Sequence, residues 1–269
     1  MQGAGVEQTH PAVSSRSTAR PSGDGARRLA GIALAAVGVL VMLGGLLDLS
    51  VTARRALDQE REVGTSAETQ RFAFDHGAWQ AIPADELFPR TYSTRASSAG
   101  GAAVHLFTRI AAPTPARCTD ALDPALVALL SADGCGPVLR ADYTDATQTT
   151  VATVGLVVLH STPAQQADLA LATADTHDDL RPRALAAPGT AAASFGDAQR
   201  LAHQVRAPSD HPYVFVAVSG FADGRPAGAD VGREVVTQSG LDLVVADLAG
   251  LVHRQTVSNL ETLWSRRPA

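Results

Sequence analysis

Residues 138–144, VLRADYT, and 150–160, TVATVGLVVLH, decide the fold. In the first, Val138, Arg140 and Asp142 fall on one face of an extended chain and Leu139, Ala141 and Tyr143 on the other, the period-two alternation of a strand. The second is apolar on both faces, which marks a strand inside a sheet. Asp145-Ala146-Thr147-Gln148 joins them as a turn, so the pair reads as a hairpin. Thr162 then offers a helix N-cap, with Pro163 at the first helical position and Gln165 three residues on as the partner of a capping box. The predicted helix runs through Thr173.

The same order recurs downstream. Residues 199–207, QRLAHQVRA, and 213–221, YVFVAVSGF, form a second hairpin around Pro208-Ser209-Asp210-His211-Pro212. A helix follows, carrying Leu241, Val244, Val245, Leu248, Leu251 and Val252 at helical spacing. Upstream, residues 102–112 read as a strand stopped by Pro113. Asp123 and Pro124 open a short helix with the apolar stripe Leu126, Leu129 and Leu130, which Gly134 ends. The sum is β-α followed by two ββα units. The fold class is α+β: a mainly antiparallel sheet of about five strands with helices on one face, in an extracytoplasmic domain over 101–269.

Residues 52–100 form a stalk and loop-rich connector. RRALDQEREV (54–63) has the composition of a solvated helical stalk, and Phe72, Phe74, Trp79, Leu87 and Phe88 supply side chains that should pack on the domain. Before the stalk lie nineteen uncharged residues, 29–47, LAGIALAAVGVLVMLGGLL. As a helix they would reach roughly 28 Å, near the ~30 Å hydrocarbon core of a bilayer. A transmembrane helix is therefore expected over 29–51, with Asp48 at its outer boundary. A cleaved export signal is the rival, but its apolar core is typically about 7–15 residues, and the small-residue site Val51-Thr52-Ala53 runs straight into Arg54 and Arg55. Gly31 and Ala35 give one small-xxx-small pair, too little to specify helix dimerisation. Residues 1–28, rich in Ser, Pro, Gly and Thr, should be a disordered cytoplasmic tail.

Flanking arginines do not set the orientation, because Arg16, Arg20, Arg27 and Arg28 oppose Arg54, Arg55 and Arg61. Cysteine usage does. Cys118 and Cys135 are the only two, both in the large C-terminal part, and an even pair in an exported domain most simply forms one structural disulfide. The chain is thus read as a single-pass protein of the cell membrane, N-terminus cytoplasmic and C-terminal domain extracytoplasmic.

Composition removes several chemistries. The chain has no lysine, so no Schiff base, phosphate-loop lysine or Ser-Lys dyad can form. Residues 52–269 hold 18 Arg against 24 Asp plus Glu, an acidic balance that argues against nucleic acid. No Gly-x-Ser-x-Gly elbow, His-Glu-x-x-His or Gly-x-Gly-x-x-Gly motif occurs, and Ser194 and Ser219 lack the strand-turn-helix frame of a hydrolase nucleophile. The turn Asp175-Thr176-His177-Asp178-Asp179 could ligate a metal but lacks the glycine and distal glutamate of a calcium loop. His160, His203 and His211 lie on or beside strands, where a histidine is more often hydrogen-bonded structure than ligand. No cofactor, metal or catalytic residue is assigned, and the chain is not read as an enzyme.

The run from Cys118 through DALDPALVALL, Gly134-Cys135 and VLRADYTDATQTTVATVG resembles a group of actinobacterial single-pass membrane proteins with small extracytoplasmic domains. The resemblance spans about half the domain and implies location and a bridged fold, with no activity attached. The ββα units are broadly similar to extracytoplasmic sensor or lipoprotein domains of such bacteria, a fold-level likeness only. The expected function is that of a membrane-anchored interaction or accessory protein, with the bilayer and another membrane or envelope protein as partners. The alternative is a ligand-sensing or ligand-carrying domain, and the third reading is an enzyme without a recognised motif.

Overall fold

The computed structural model describes residues 66–98, 101–175, 177–226, 236–237 and 239–267, with the backbone alone for 94–98 and 101–105. The described residues all lie within one compact unit, Gly64–Ala269. The tail, the apolar run and the stalk lie outside them. Among the described residues no helix is long and apolar enough to cross a membrane.

The fold is α+β. Six strands make one antiparallel sheet: β1 (Thr91–Ser98), β2 (Gly101–Ala116), β3 (Cys135–Asp145), β4 (Thr150–Leu159), β5 (Ala202–Arg206) and β6 (Tyr213–Phe221), in the order β1-β2-β3-β4-β6-β5. The helices are α1 over 66–78, α2 (Ala84–Leu87), α3 (Cys118–Ala121), α4 (Pro124–Ser131), α5 (Pro163–Ala172) and α6 (Leu241–Ser265). The hairpins β3–β4 and β5–β6 stand where their alternation places them, and their inner strands pair, Val154 opposite Ala217.

Four expectations need correction. The sheet has a sixth strand, because the stretch read as a loop-rich connector carries α1 and β1, and β1 pairs with β2 from Thr91↔Thr108 to Ser98↔Gly101. Its sequence, TYSTRASS, has no apolar alternation to announce it. Second, Pro113 does not stop β2. Register shifts between Arg109 and Thr114 absorb the proline in an irregular stretch, where its missing N–H costs no ladder bond. Third, helices cover both faces. Leu139, Tyr143, Val154, Leu156 and Phe215 join Leu241, Val245 and Leu248 of α6 in one core. The alternate positions Val138, Val157, Val214 and Val216 join Leu126 and Leu130 of α4 and Leu169 of α5 in another. The two ββα units are therefore consecutive in the chain but not equivalent in space, since α5 and α6 lie on opposite faces. Fourth, Asp123 precedes α4 without capping it; its carboxylate instead meets Arg200 at 2.8 Å.

Other signals act as read. Thr162 and Gln165 close a reciprocal capping box on α5. Cys118 and Cys135 are bonded, with Cα atoms 6.4 Å apart, and fasten the start of α3 to the start of β3. Gly134 takes φ +66° after α4, the left-handed conformation that favours glycine. Leu87 and Phe88 are buried, as is Phe72 on α1, so the connector packs on the domain.

Candidate functional site

A cleft of about 610 Å³ opens where α1, the β5–β6 turn, the start of α5 and the second half of α6 meet. Helix α1 contributes Glu68, Arg71 and Phe72, the turn contributes Ser209, Asp210 and His211, and α6 contributes Val257 and Glu261. Below it lies a buried polar seam. Asp75 of α1 has no solvent exposure, and its Oδ2 accepts the Nδ1 hydrogen bond of His211 at 2.7 Å. The Tyr213 hydroxyl donates to the Asp75 carbonyl, and burial, reinforced by Asp75, pushes the Tyr213 phenol well above its ordinary range, so it keeps its proton. One residue along, His76 Nδ1 meets the Leu159 carbonyl at 2.9 Å. The pairing Asp75–His211 spans 136 residues, so nothing local in the chain announces it.

A carboxylate hydrogen-bonded to Nδ1 fixes the tautomer and orientation of an imidazole, as in the acid–histidine half of a catalytic triad. The other half is not assembled here. Ser209 lines the same cleft but makes no hydrogen bond to His211 among the described residues. The polar neighbour of His211 Nε2 is Asp210 Oδ2, at 3.5 Å.

A second polar cluster lies on the opposite face, under the irregular segment 181–199. Thr153 Oγ1 donates to Asp142 Oδ1 at 2.7 Å and accepts the N–H of Leu185 at 2.9 Å. Asp142 Oδ2 and Arg140 Nε are buried without a hydrogen-bond partner. Burial is the main cause of the Asp142 carboxyl being pushed up to about 7, against the lowering influence of Thr153 and Arg140. Gly155 pairs across from Arg140, and a Cβ there would sit 3.4 Å from Arg140 Cγ and only 2.9 Å from Val216 Cγ2. The bare glycine leaves room chiefly for Val216 on the neighbouring strand β6. This cluster holds the covering segment down, and its buried carboxylate is closed off from any substrate in solvent.

The residues singled out from the sequence scatter. His160 is exposed and stacks on His76, with ring centroids 6.2 Å apart. His203 Nε2 meets the His177 carbonyl at 2.9 Å, and burial lowers its pKa. Asp175 and His177 line a space of about 10 Å³ with His203, enough for one water. Among the described residues no three His, Cys, Asp or Glu side chains are placed to hold a metal. Ser219 is buried and donates to the Leu241 carbonyl at 3.1 Å, a structural role. Ser194 lines a separate hollow with Thr190 and Arg225. Of the three strand histidines only His211 combines a buried acidic partner with an accessible cleft. Its place beside a strand singles out His211 in the sequence; nothing there singles out Asp75.

The chain matches no family model, no curated protein and no solved structure.

Proposed function

We propose that this chain is a membrane-anchored accessory protein that presents its α+β domain to another protein of the cell envelope. The apolar run at 29–47 supports the anchor, and the disulfide Cys118–Cys135 supports an oxidising, extracytoplasmic side for the domain. The observation that carries the accessory role is the β1–β2 ribbon. Its pairing of residues 94–98 with 101–105 continues past the last rung β2 shares with β3, Phe107 opposite Asp145. A two-stranded ribbon that runs beyond its sheet, with no third strand paired to it among the described residues, offers backbone edges to a partner. The space between sheet and helices is meanwhile filled by fully buried side chains such as Tyr143, Phe215, Leu156 and Leu126. Recognition therefore belongs to the outer surface. The cleft at His211 favours the ligand-sensing alternative as a second reading.

Affinity capture of the full chain from detergent-solubilised membranes tests both. The accessory reading expects a reproducible protein partner, lost when 96–103 is replaced by a tight Asn-Gly turn. Capture of a small molecule and no protein, insensitive to that shortening, supports the alternative and overturns the first. External protease on intact cells should digest the domain; protection of the domain overturns the topology.

A further inference from the structure

We propose that the middle of the segment 181–199 is a strap that lies closed on the sheet while the Asp142 carboxyl is neutral and lifts when that carboxyl ionises, so that the domain shows different surfaces in acidic and in neutral surroundings. This device stands apart from the accessory role and needs no partner.

The ends of the strap and its middle are held differently. At its start the N–H of Asp123 donates to the Arg181 carbonyl at 2.9 Å, and the N–H of Arg183 donates to the Ala121 carbonyl at 2.8 Å. Just past its end the N–H of Leu201 donates to the Ser219 carbonyl at 2.9 Å, and Arg200 meets Asp123 at 2.8 Å. Between these fastenings the backbone bonds of 184–195 close on the segment itself, as from Ala187 to Ala192 and from Phe195 to Ala192, both at 3.1 Å. Among the described residues, the hydrogen bond that ties 184–195 to the sheet runs from the N–H of Leu185 to Thr153 Oγ1, at 2.9 Å. Apolar contact of Ala192 and Phe195 with Val151 and Val218 completes the attachment.

That single link ends on a carboxylate. Thr153 gives its own proton to Asp142 Oδ1 at 2.7 Å, and Asp142 has no solvent exposure and no hydrogen-bond partner on Oδ2. Arg140, on the same face of β3, has its Nε unpartnered as well, and its Nη1 turns toward the Arg183 carbonyl at 3.5 Å. The other charged groups around this pair are Arg183 and Asp197 on the strap and Asp120 on α3, and β4 brings none. A buried carboxylate with one oxygen unpaired is tolerable neutral and costly charged, and lifting the strap lets water reach it. Burial accordingly pushes the Asp142 carboxyl up to about 7, against 3.8 for an ordinary aspartate. The native value is the raised one, so closure is firmest below about pH 4 and weakens as pH rises toward 7. Lifting uncovers Val151 and Val218, which are fully buried in the closed form.

Hydrogen–deuterium exchange of the full chain in detergent, read peptide by peptide and corrected for the intrinsic pH dependence of amide exchange, tests this. Protection of 184–195 should be weaker than that of β4 and should fall by about 50-fold between pH 5 and pH 7. Asp142→Asn, neutral at every pH, should hold it level, and Asp142→Leu gives the same flat profile should the amide not fold. Thr153→Val, which removes the link, should lower it by about tenfold already at pH 5. A level profile in the unchanged chain, a fall of equal size in the neutral variants, or indifference to Thr153→Val at pH 5 each overturns the proposal. So does protection of 184–195 that equals that of β4 at every pH, since the segment would then open only with the whole domain.

Discussion

The two faces of the sheet are covered by different kinds of chain, and their buried residues differ accordingly. Over the face of Leu139, Tyr143, Val154 and Phe215 lies α6, a helix of 25 residues whose backbone polar groups are largely satisfied within itself. The strands beneath it can be apolar. Part of the opposite face is covered by the irregular segment 181–199, whose backbone has no ladder or long helix of its own. There the protein supplies polar side chains: Thr153 for the N–H of Leu185, Asp197 for the N–H of Ala184, and Arg140, at 3.5 Å, toward the carbonyl of Arg183. Backbone groups buried under a loop must find partners, and a strand can offer them only by giving up apolar positions. The penalty is visible in the unpartnered Asp142 Oδ2 and Arg140 Nε.

Mutation can undo this contrast at several points. The largest effect is expected at the seam beneath α1. His211→Ala leaves the buried Asp75 carboxylate without its imidazole partner, which should cost about 3–5 kcal/mol in denaturant unfolding. A loss below about 1 kcal/mol would show that the pair is not a fastening. At the other cluster the sign reverses. Asp142 ionises near 7 in the native state, against 3.8 for an ordinary aspartate, so between those values the folded chain holds more protons than the unfolded chain. The contribution of Asp142 is full below about pH 4 and is lost as pH rises toward 7, by on the order of 4 kcal/mol at about 1.4 kcal/mol per pH unit. Asp142→Asn should flatten that part of the pH–stability curve and raise stability at neutral pH; an unchanged slope refutes the assignment.

The disulfide adds a further asymmetry between the faces, because it ties down only the α3–α4 side. Replacing both Cys118 and Cys135 with serine should lower stability by roughly 3 kcal/mol through the freed loop, read from the shift in denaturation midpoint. Thr162→Ala, which removes the cap of α5 on that same side, should cost only about 1 kcal/mol. If the cap change exceeded the disulfide change, local fastening would outrank long-range fastening on this face.

Whatever repeats at short range could be read from the chain alone. The alternation of 138–144, the doubly apolar 150–160, the hairpin of 199–207 and 213–221, the cap at Thr162 and the helical spacing from Leu241 each carry a local signal, and each stands as an element at its expected place. Cys118 and Cys135 could be paired because there was no other choice. Strand β1 was not legible, since TYSTRASS gains its strand character from β2 alongside it. Nor was the side of the sheet each helix would take. A strand apolar on both faces, such as β4, accepts a helix on either, and only the packing of α6 against Leu156 and Phe215 and of α4 and α5 against Val157 and Val214 divides them. The cleft belongs to the tertiary structure for the same reason. Asp75 and His211 are ordinary residues in a helix and a turn until folding brings side chains 136 positions apart in sequence to within 2.7 Å, and burial then makes their contact specific.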